Sequence, residues 1–384
     1  MKFQKPRYRY LYLAGFLLSL HYALTAHINS TYLGTIMSQA NIDNLYIISS
    51  IITILCLIGS VRFLKRYSNS KTMLFGITVE VIALLTLAFS KDVNVIKIAF
   101  IIHDALPPLL LFGLDIFFED LSRTNAETER KRSFYLTATN TAYLAAPFVA
   151  GMIIARGSYS LVYILSAVFV FTLWLLVADV FIGVNPKIYS EVGFFDSINK
   201  FFKRKRLGGI LLVNFFLQCF YAFMIIFTGP YLHNTIGLGW GAIGLIFTIM
   251  LVPFIIFDPP LGKLFNKFHD EKEILIVGFL IMAISTISMG LVHTQSFLVF
   301  AFILFMTRVG ASFVEAASEA AFFKNITDHN AGFIGIFRQA VPLSFVIAPI
   351  VAGLLLKTAP ITTLYVAFGL ALFLGAAISY GLDI

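Results

Sequence analysis

Apolar residues in this chain come in runs long enough to cross a lipid bilayer, and polar residues are mostly confined to the gaps between them. A helix rising about 1.5 Å per residue needs roughly 20 apolar residues to cross a hydrocarbon core of about 30 Å. Read with that length, the pattern predicts twelve helices. Six run from Tyr10 to Leu33, Leu45 to Leu64, Thr72 to Phe89, Ile96 to Phe118, Phe134 to Ile154 and Leu161 to Ile182. Six more run from Leu207 to Leu232, Gly241 to Pro260, Ile274 to Val292, Phe297 to Phe323, Gly332 to Leu356 and Ile361 to Leu382. The fold class this predicts is an all-α membrane protein of two six-helix bundles, residues 1–182 and 207–384, joined by a basic linker, 183–206.

The two halves look duplicated. Ala146-Pro147-Phe148-Val149-Ala150-Gly151 returns 202 positions later as Ala348-Pro349-Ile350-Val351-Ala352-Gly353. The basic loop from Arg62 to Lys71 aligns with Lys263 to Lys272 at offset 201, and Asp115-x-x-x-Glu119 with Glu315-x-x-x-Glu319 at offset 200. Because six spans separate the copies, the halves share one orientation and are related by an axis along the membrane normal.

Composition agrees with this reading. Hydrophobic residues make up 59% of the 384 and charged ones 12%, with a mean hydropathy of +0.88, which excludes a water-soluble globule. Lys and Arg crowd the N-terminal tail, the loops after the second, fourth and eighth spans, and the linker run Lys203-Arg204-Lys205-Arg206. Only Lys91, Lys97, Arg156 and Lys357 fall on the other side, so both termini are expected in the cytoplasm, with the protein in the cytoplasmic membrane. The net charge of +8 then records orientation and headgroup attraction, and nucleic acid is not an expected partner. The basic N-terminus ahead of an apolar run mimics a signal peptide, but it is read as a retained first helix. In the linker, Phe194, Phe195, Ile198, Phe201 and Phe202 recur at helical spacing, predicting an amphipathic helix on the membrane face or a basic tether. Cys56 and Cys219 lie mid-span and read as buried packing thiols, and no metal-ligand spacing is present.

Twelve spans in two parallel halves, with these motifs, resemble the major facilitator superfamily over essentially the whole chain. Gly262-Lys263-Leu264-Phe265-Asn266-Lys267-Phe268-His269-Asp270-Glu271-Lys272 follows the frame of its loop signature, with Asn266 in place of the acid and His269 in place of a glycine. The resemblance implies a cytoplasmic latch, for which Arg66, Lys71, Asp115, Asp120, Lys267, Lys272, Glu315 and Glu319 are the candidates. Ala146-Pro147-x-x-Ala150-Gly151 is similar to the family's fifth-helix antiporter motif with two glycines changed to alanine, which implies drug:proton antiport; close helix packing alone explains the same residues. Pro147 and Pro349 are expected to bend their helices.

Ionisable side chains inside the spans cost about 2.5–3.5 kcal/mol each on insertion scales and therefore mark cavities or partners. The fourth span carries His103 and Asp104, the candidates for proton coupling. Substrate-cavity candidates are His21, Thr25 and Tyr32 on the first span, Asn140 on the fifth, Asn214, Gln218 and Tyr221 on the seventh, Arg308 on the tenth, and Arg338 and Gln339 on the eleventh. For each, interhelical hydrogen bonding is the plain alternative. Glu80 in the third span has no assignment. No phosphate-binding loop occurs, so the expected activity is secondary transport of a small solute by alternating access, by a monomer, without a cofactor and with protons as the coupling ion. The antiporter-like motif points to efflux of amphipathic compounds; uptake of a sugar or other metabolite, or a non-transporting membrane sensor, are the alternatives. A membrane enzyme would need a catalytic cluster that the sequence does not display.

Overall fold

The computed structural model describes residues 7–121, 125–182, 194–264, 271–325 and 331–382. Among them every regular element is helical, and twelve helices are long and apolar enough to cross a membrane. The chain divides into two compact units, Met1–Ile188 and Tyr189–Ile384.

The first unit contains α1 (Arg7–Ala26), α2 (Asn29–Gly34), α3 (Gln39–Tyr67), α4 (Asn69–Phe89), α5 (Val93–Leu121), α6 (Asn125–Ile154) and α7 (Tyr159–Leu176), the last ending in a π-helical turn, Val177–Phe181. The second contains α8 (Phe194–Lys203), α9 (Lys205–Pro230) with a π-helical turn at Tyr231–Thr235, α10 (Trp240–Leu264), α11 (Glu271–Leu291), α12 (Phe297–Asn325), α13 (Ala331–Arg338), α14 (Ala340–Leu356) and α15 (Ile361–Tyr380). In the first unit α1 packs on α5, α6 and α7, while α4 packs on α5 and α7. Large apolar side chains such as Leu55, Phe75, Phe89, Ile98 and Phe302 stay exposed, as expected of surfaces that face lipid.

Short polar signals begin the helices. The Asp92 carboxylate accepts from the backbone N–H groups of Asn94 (2.7 Å) and Val95 (3.2 Å), and the Ser158 hydroxyl accepts from Leu161 N–H (3.2 Å), each satisfying donors that the first helical turn leaves open. Between α3 and α4 the chain turns on Ser68 alone, at φ 62° and ψ 154°, a conformation that glycine adopts freely and serine only under strain.

Four sequence expectations change. The first span is two helices, because His27-Ile28-Asn29-Ser30-Thr31 is a run of poor helix formers, and the break brings Asn29 into the unit's interior. The eleventh span, expected as one helix, is interrupted at Gln339: Pro342 has no N–H for the Arg338 carbonyl and its ring crowds that turn. The linker helix forms, and its Phe201 is fully buried against Leu207, Ile210, Phe322, Phe333 and Phe337 of its own unit, so this face is spent on protein packing; Phe202 remains 55% exposed. Cys56 is exposed on the face of α3 that also presents Ile48, Ile52 and Leu55, whereas Cys219 is buried.

Candidate transport site

In the first unit, six helices deliver polar side chains to one buried place. Glu80 stands eleven residues into α4 and nine from its end at Phe89, near the middle of the span. It is fully buried, as is His21 of α1, and His103 of α5 is 1% exposed. His103 Nδ1 lies 2.5 Å from Glu80 Oε1, and His21 Nε2 lies 3.3 Å from the same oxygen. On its other nitrogen His21 contacts Ser166 Oγ of α7 at 2.7 Å. His103 Nε2 stands 3.1 Å from Thr25 Oγ1 and 3.5 Å from the Asn29 amide nitrogen, and Tyr163 donates its hydroxyl hydrogen to Asn29 Oδ1 at 2.9 Å. Next along α5, Asp104 accepts a short hydrogen bond from the Ser49 hydroxyl of α3.

The backbone under this group is interrupted. Pro107 and Pro108 lie inside α5 and have no N–H for the carbonyls of His103 and Asp104, so two successive ladder bonds are missing where the ionisable residues sit. The Ala105 carbonyl in the same turn accepts from the Thr53 hydroxyl at 3.2 Å.

The donor atoms of His21, Glu80 and His103 lie within 4.8 Å of one another, a grouping the sequence spacing does not reveal. Two donors held at about 2.0–2.1 Å by one tetrahedral zinc ion stand roughly 3.3 Å apart. The 2.5 Å between His103 Nδ1 and Glu80 Oε1 is instead a hydrogen-bond distance, with room for one hydrogen. His21 Nε2, at 3.3 Å from the same oxygen, stands at the spacing of two zinc ligands, so the three side chains as placed combine one hydrogen bond with one wider contact.

The second unit holds a different set. Arg308 of α12, 3% exposed, places its guanidinium 5.2 Å from the ring centres of both Phe220 and Tyr221 on α9. Tyr221 donates its hydroxyl hydrogen to Glu315 Oε2 at 2.6 Å. Asn214 and Gln218, one turn apart on α9, bond to each other at 3.3 Å. Arg308 is thereby a buried cation held over two aromatic faces, with a carboxylate reached through one of them.

The structure redistributes several expected roles. His21 and Thr25 are fully buried among helices of their own half, where they meet Glu80 and His103. Tyr32 leaves their stripe and donates to the Leu87 carbonyl at 3.2 Å. Arg338, expected in the cavity, is paired at 2.5 Å with Glu319, expected in the latch. Gln339 marks the break between α13 and α14, and Asn140 is half-buried on α6. Of the other latch candidates, Arg66 and Lys71 are exposed, Asp115 is half-buried, and Lys272 stands 4.9 Å from the Tyr380 ring centre. Lys267 and the side chain of Asp120 lie outside the described residues. Pro147 and Pro349 are accommodated inside α6 and α14. Glu80 was missed as a site residue; the available signal was a lone acid in the middle of an apolar span, opposite a His-Asp pair followed by Pro-Pro.

Comparison with known proteins places this arrangement in a family. The model described as Major Facilitator Superfamily matches residues 11–242 and 211–383. The chain belongs to that superfamily. It is therefore an integral membrane transporter and not an enzyme, and a small-molecule solute and the lipid bilayer are its partners. Among solved structures it resembles the nucleoside transporter NupG, with TM-score 0.76, 14% identity, and coverage of 98% of this chain and 99% of that one. A single-residue mutant of NupG, with alanine in place of an aspartate, matches with TM-score 0.79 at 12% identity, over 98% of this chain and all of that one. At such identities the likeness shows the shared fold. No curated protein matches the chain in sequence.

Proposed function

We propose that this superfamily member is a proton-coupled secondary transporter that takes up a small polar solute by alternating access, acting as a monomer in the cytoplasmic membrane with both termini inside. The observation that carries the coupling is Asp104: a carboxylate eleven residues into a membrane-crossing helix, bonded to Ser49 and adjacent to His103, which touches a second acid. Acids are retained at such depth against a cost of about 2.5–3.5 kcal/mol when they do work there.

Two observations favour uptake of a polar metabolite. Solved structures with this fold include transporters named for nucleosides, and the second unit offers aromatic faces, a guanidinium and amides, the chemistry that recognises a polar heterocycle. Efflux of amphipathic compounds by proton antiport is the second reading, favoured by Ala146-Pro147-x-x-Ala150-Gly151.

The test is flux in proteoliposomes with an imposed pH gradient, using labelled uridine and adenosine as uptake probes and a fluorescent amphipathic cation as the efflux probe. Nucleoside accumulation should follow the inward proton gradient and collapse with a protonophore. Asp104→Asn should lower gradient-driven accumulation at least tenfold while leaving counterflow without a gradient measurable. Unchanged accumulation in that variant removes Asp104 as the coupling acid. Movement of the cation alone selects efflux, and movement of neither class selects uptake of another metabolite, such as a sugar.

A further inference from the structure

We propose that His21, Glu80 and His103 form a store for one proton in the core of the first six-helix unit, with Glu80 as its acid. This rests on the proton-coupled reading above and adds to the coupling acid Asp104 a second site where a proton is held.

The inference comes from counting hydrogens. Ser166 donates its hydroxyl hydrogen to the His21 carbonyl at 3.0 Å, so its oxygen is left to accept from His21 Nδ1–H at 2.7 Å. Neutral His21 therefore carries its hydrogen on Nδ1 and turns a bare lone pair on Nε2 toward Glu80 Oε1. Tyr163 donates to Asn29 Oδ1, which directs the Asn29 amide N–H toward His103 Nε2. Neutral His103 accepts there and donates Nδ1–H to Glu80 Oε1.

With both imidazoles neutral and Glu80 ionised, the cluster is one hydrogen short. His21 Nε2 and Glu80 Oε1 are two acceptors facing each other at 3.3 Å, and among the described residues neither His21 Nε2 nor Glu80 Oε2 has a hydrogen-bond partner. That state also leaves a net negative charge in an apolar bundle, with a second acid, Asp104, one residue from His103. One added proton repairs both defects. On Glu80 it makes a carboxylic acid that donates to His21 Nε2; on an imidazole it makes a cation paired with the carboxylate.

His103 is built to pass the proton on. Its Nε2 lies near a group that donates to a bare nitrogen, the Asn29 amide at 3.5 Å, and near one that accepts from a protonated nitrogen, Thr25 Oγ1 at 3.1 Å, whose own hydrogen goes to the Tyr22 carbonyl at 3.0 Å. Both protonation states of His103 are thus accommodated. When the proton leaves, the Glu80 O–H and its hydrogen bond to His21 Nε2 are lost, while the carboxylate keeps its hydrogen bond from His103 Nδ1. Because α5 lacks two ladder bonds at Pro107 and Pro108, bending there moves His103 relative to Glu80 on α4, and so connects occupancy to helix movement.

The titratable groups around Glu80 are His21 from α1, His103 and Asp104 from α5, and Tyr163 from α7 through Asn29, with Tyr22 and Tyr46 around Asp104. Asp104, the coupling acid of the reading above, is a second buried acid one residue from His103 and must be told apart from Glu80. Its hydrogen from Ser49 satisfies it as a carboxylate, whereas Glu80 has a free oxygen and a facing imidazole lone pair.

Infrared difference spectroscopy on the purified full-length protein, stepped between acid and alkaline pH, tests this directly and needs no substrate. A protonated-carboxyl band near neutral pH should be lost in Glu80→Gln, kept in Asp104→Asn, and returned at a shifted frequency in Glu80→Asp. A band that survives Glu80→Gln, or one lost only in Asp104→Asn, overturns the assignment. Stoichiometric zinc in the purified wild type, lost in Glu80→Gln, also overturns it in favour of a metal. Should Glu80→Gln fail to fold, His21→Gln serves in its place, because removing the facing lone pair must shift the band; an unshifted band counts against the store. Flux without dependence on a pH gradient, together with the expected spectra, would remove the coupling reading and leave the store standing.

Discussion

Single residues in this chain are under two kinds of constraint, solvation and backbone geometry. Solvation explains why Glu80 makes sense only once His21 and His103 are placed beside it, and why Arg308 lies over Phe220 and Tyr221: each charged group finds neighbours that substitute for water. Backbone geometry singles out Ser68, which holds positive φ in a one-residue turn between two long helices. Replacing it with glycine removes the clash between Cβ and backbone. Ser68→Gly is expected to stabilise the protein by about 1 kcal/mol, read as a raised thermal midpoint in detergent. A lowered midpoint would show that the serine hydroxyl contributes more than its backbone conformation costs.

Helices are positioned by where their backbones can approach, and in the second unit that is decided by glycine. A Cβ at Gly278 of α11 would lie 2.8 Å from the Gly310 carbonyl oxygen of α12, and one at Gly310 would lie 2.8 Å from the Met282 backbone nitrogen. The two helices therefore touch main chain to main chain, and this contact sets the rotation of α12 two residues beyond Arg308. Gly310→Leu should force them apart at a cost of about 1–3 kcal/mol, lower the thermal midpoint and shift Arg308 from the α9 rings. Intact stability together with unchanged quenching at Tyr221 would contradict this. The same scale explains the misread elements. The breaks at His27-Ile28 and Gln339 come from local propensity and a single proline, which a twenty-residue hydropathy window averages away.

For the whole molecule, the sided distribution of Lys and Arg makes a prediction that the fold alone does not. With the N-terminus inside, a single cysteine at Lys71 should be shielded from a membrane-impermeant thiol reagent in intact cells, and one at Lys91 should react; after permeabilisation both should react. The background cysteines are Cys56, on an apolar helix face, and Cys219, which is buried, so Cys56→Ser is the suitable starting protein. Labelling of Lys71→Cys from outside would reverse the assigned orientation.

Much of the architecture was legible in the order of residues. Side chains that face hydrocarbon must be apolar over the length of a crossing helix, so each span writes itself as a long apolar run, and the duplicated Ala-Pro-x-Val-Ala-Gly and its companion pairs, at offsets of 200 to 202, read as two similar halves. His103 and Asp104 were legible as well, because a charge inside such a run stands out. Their partners were not. His21 and Ser166 meet across 145 positions, and Glu80 and His103 across 23, on helices whose rotation about their own axes no apolar run records. Hydropathy determines that a helix crosses the membrane; close packing and the need to satisfy each buried polar atom decide which face it turns inward, and therefore which side chains share a hydrogen.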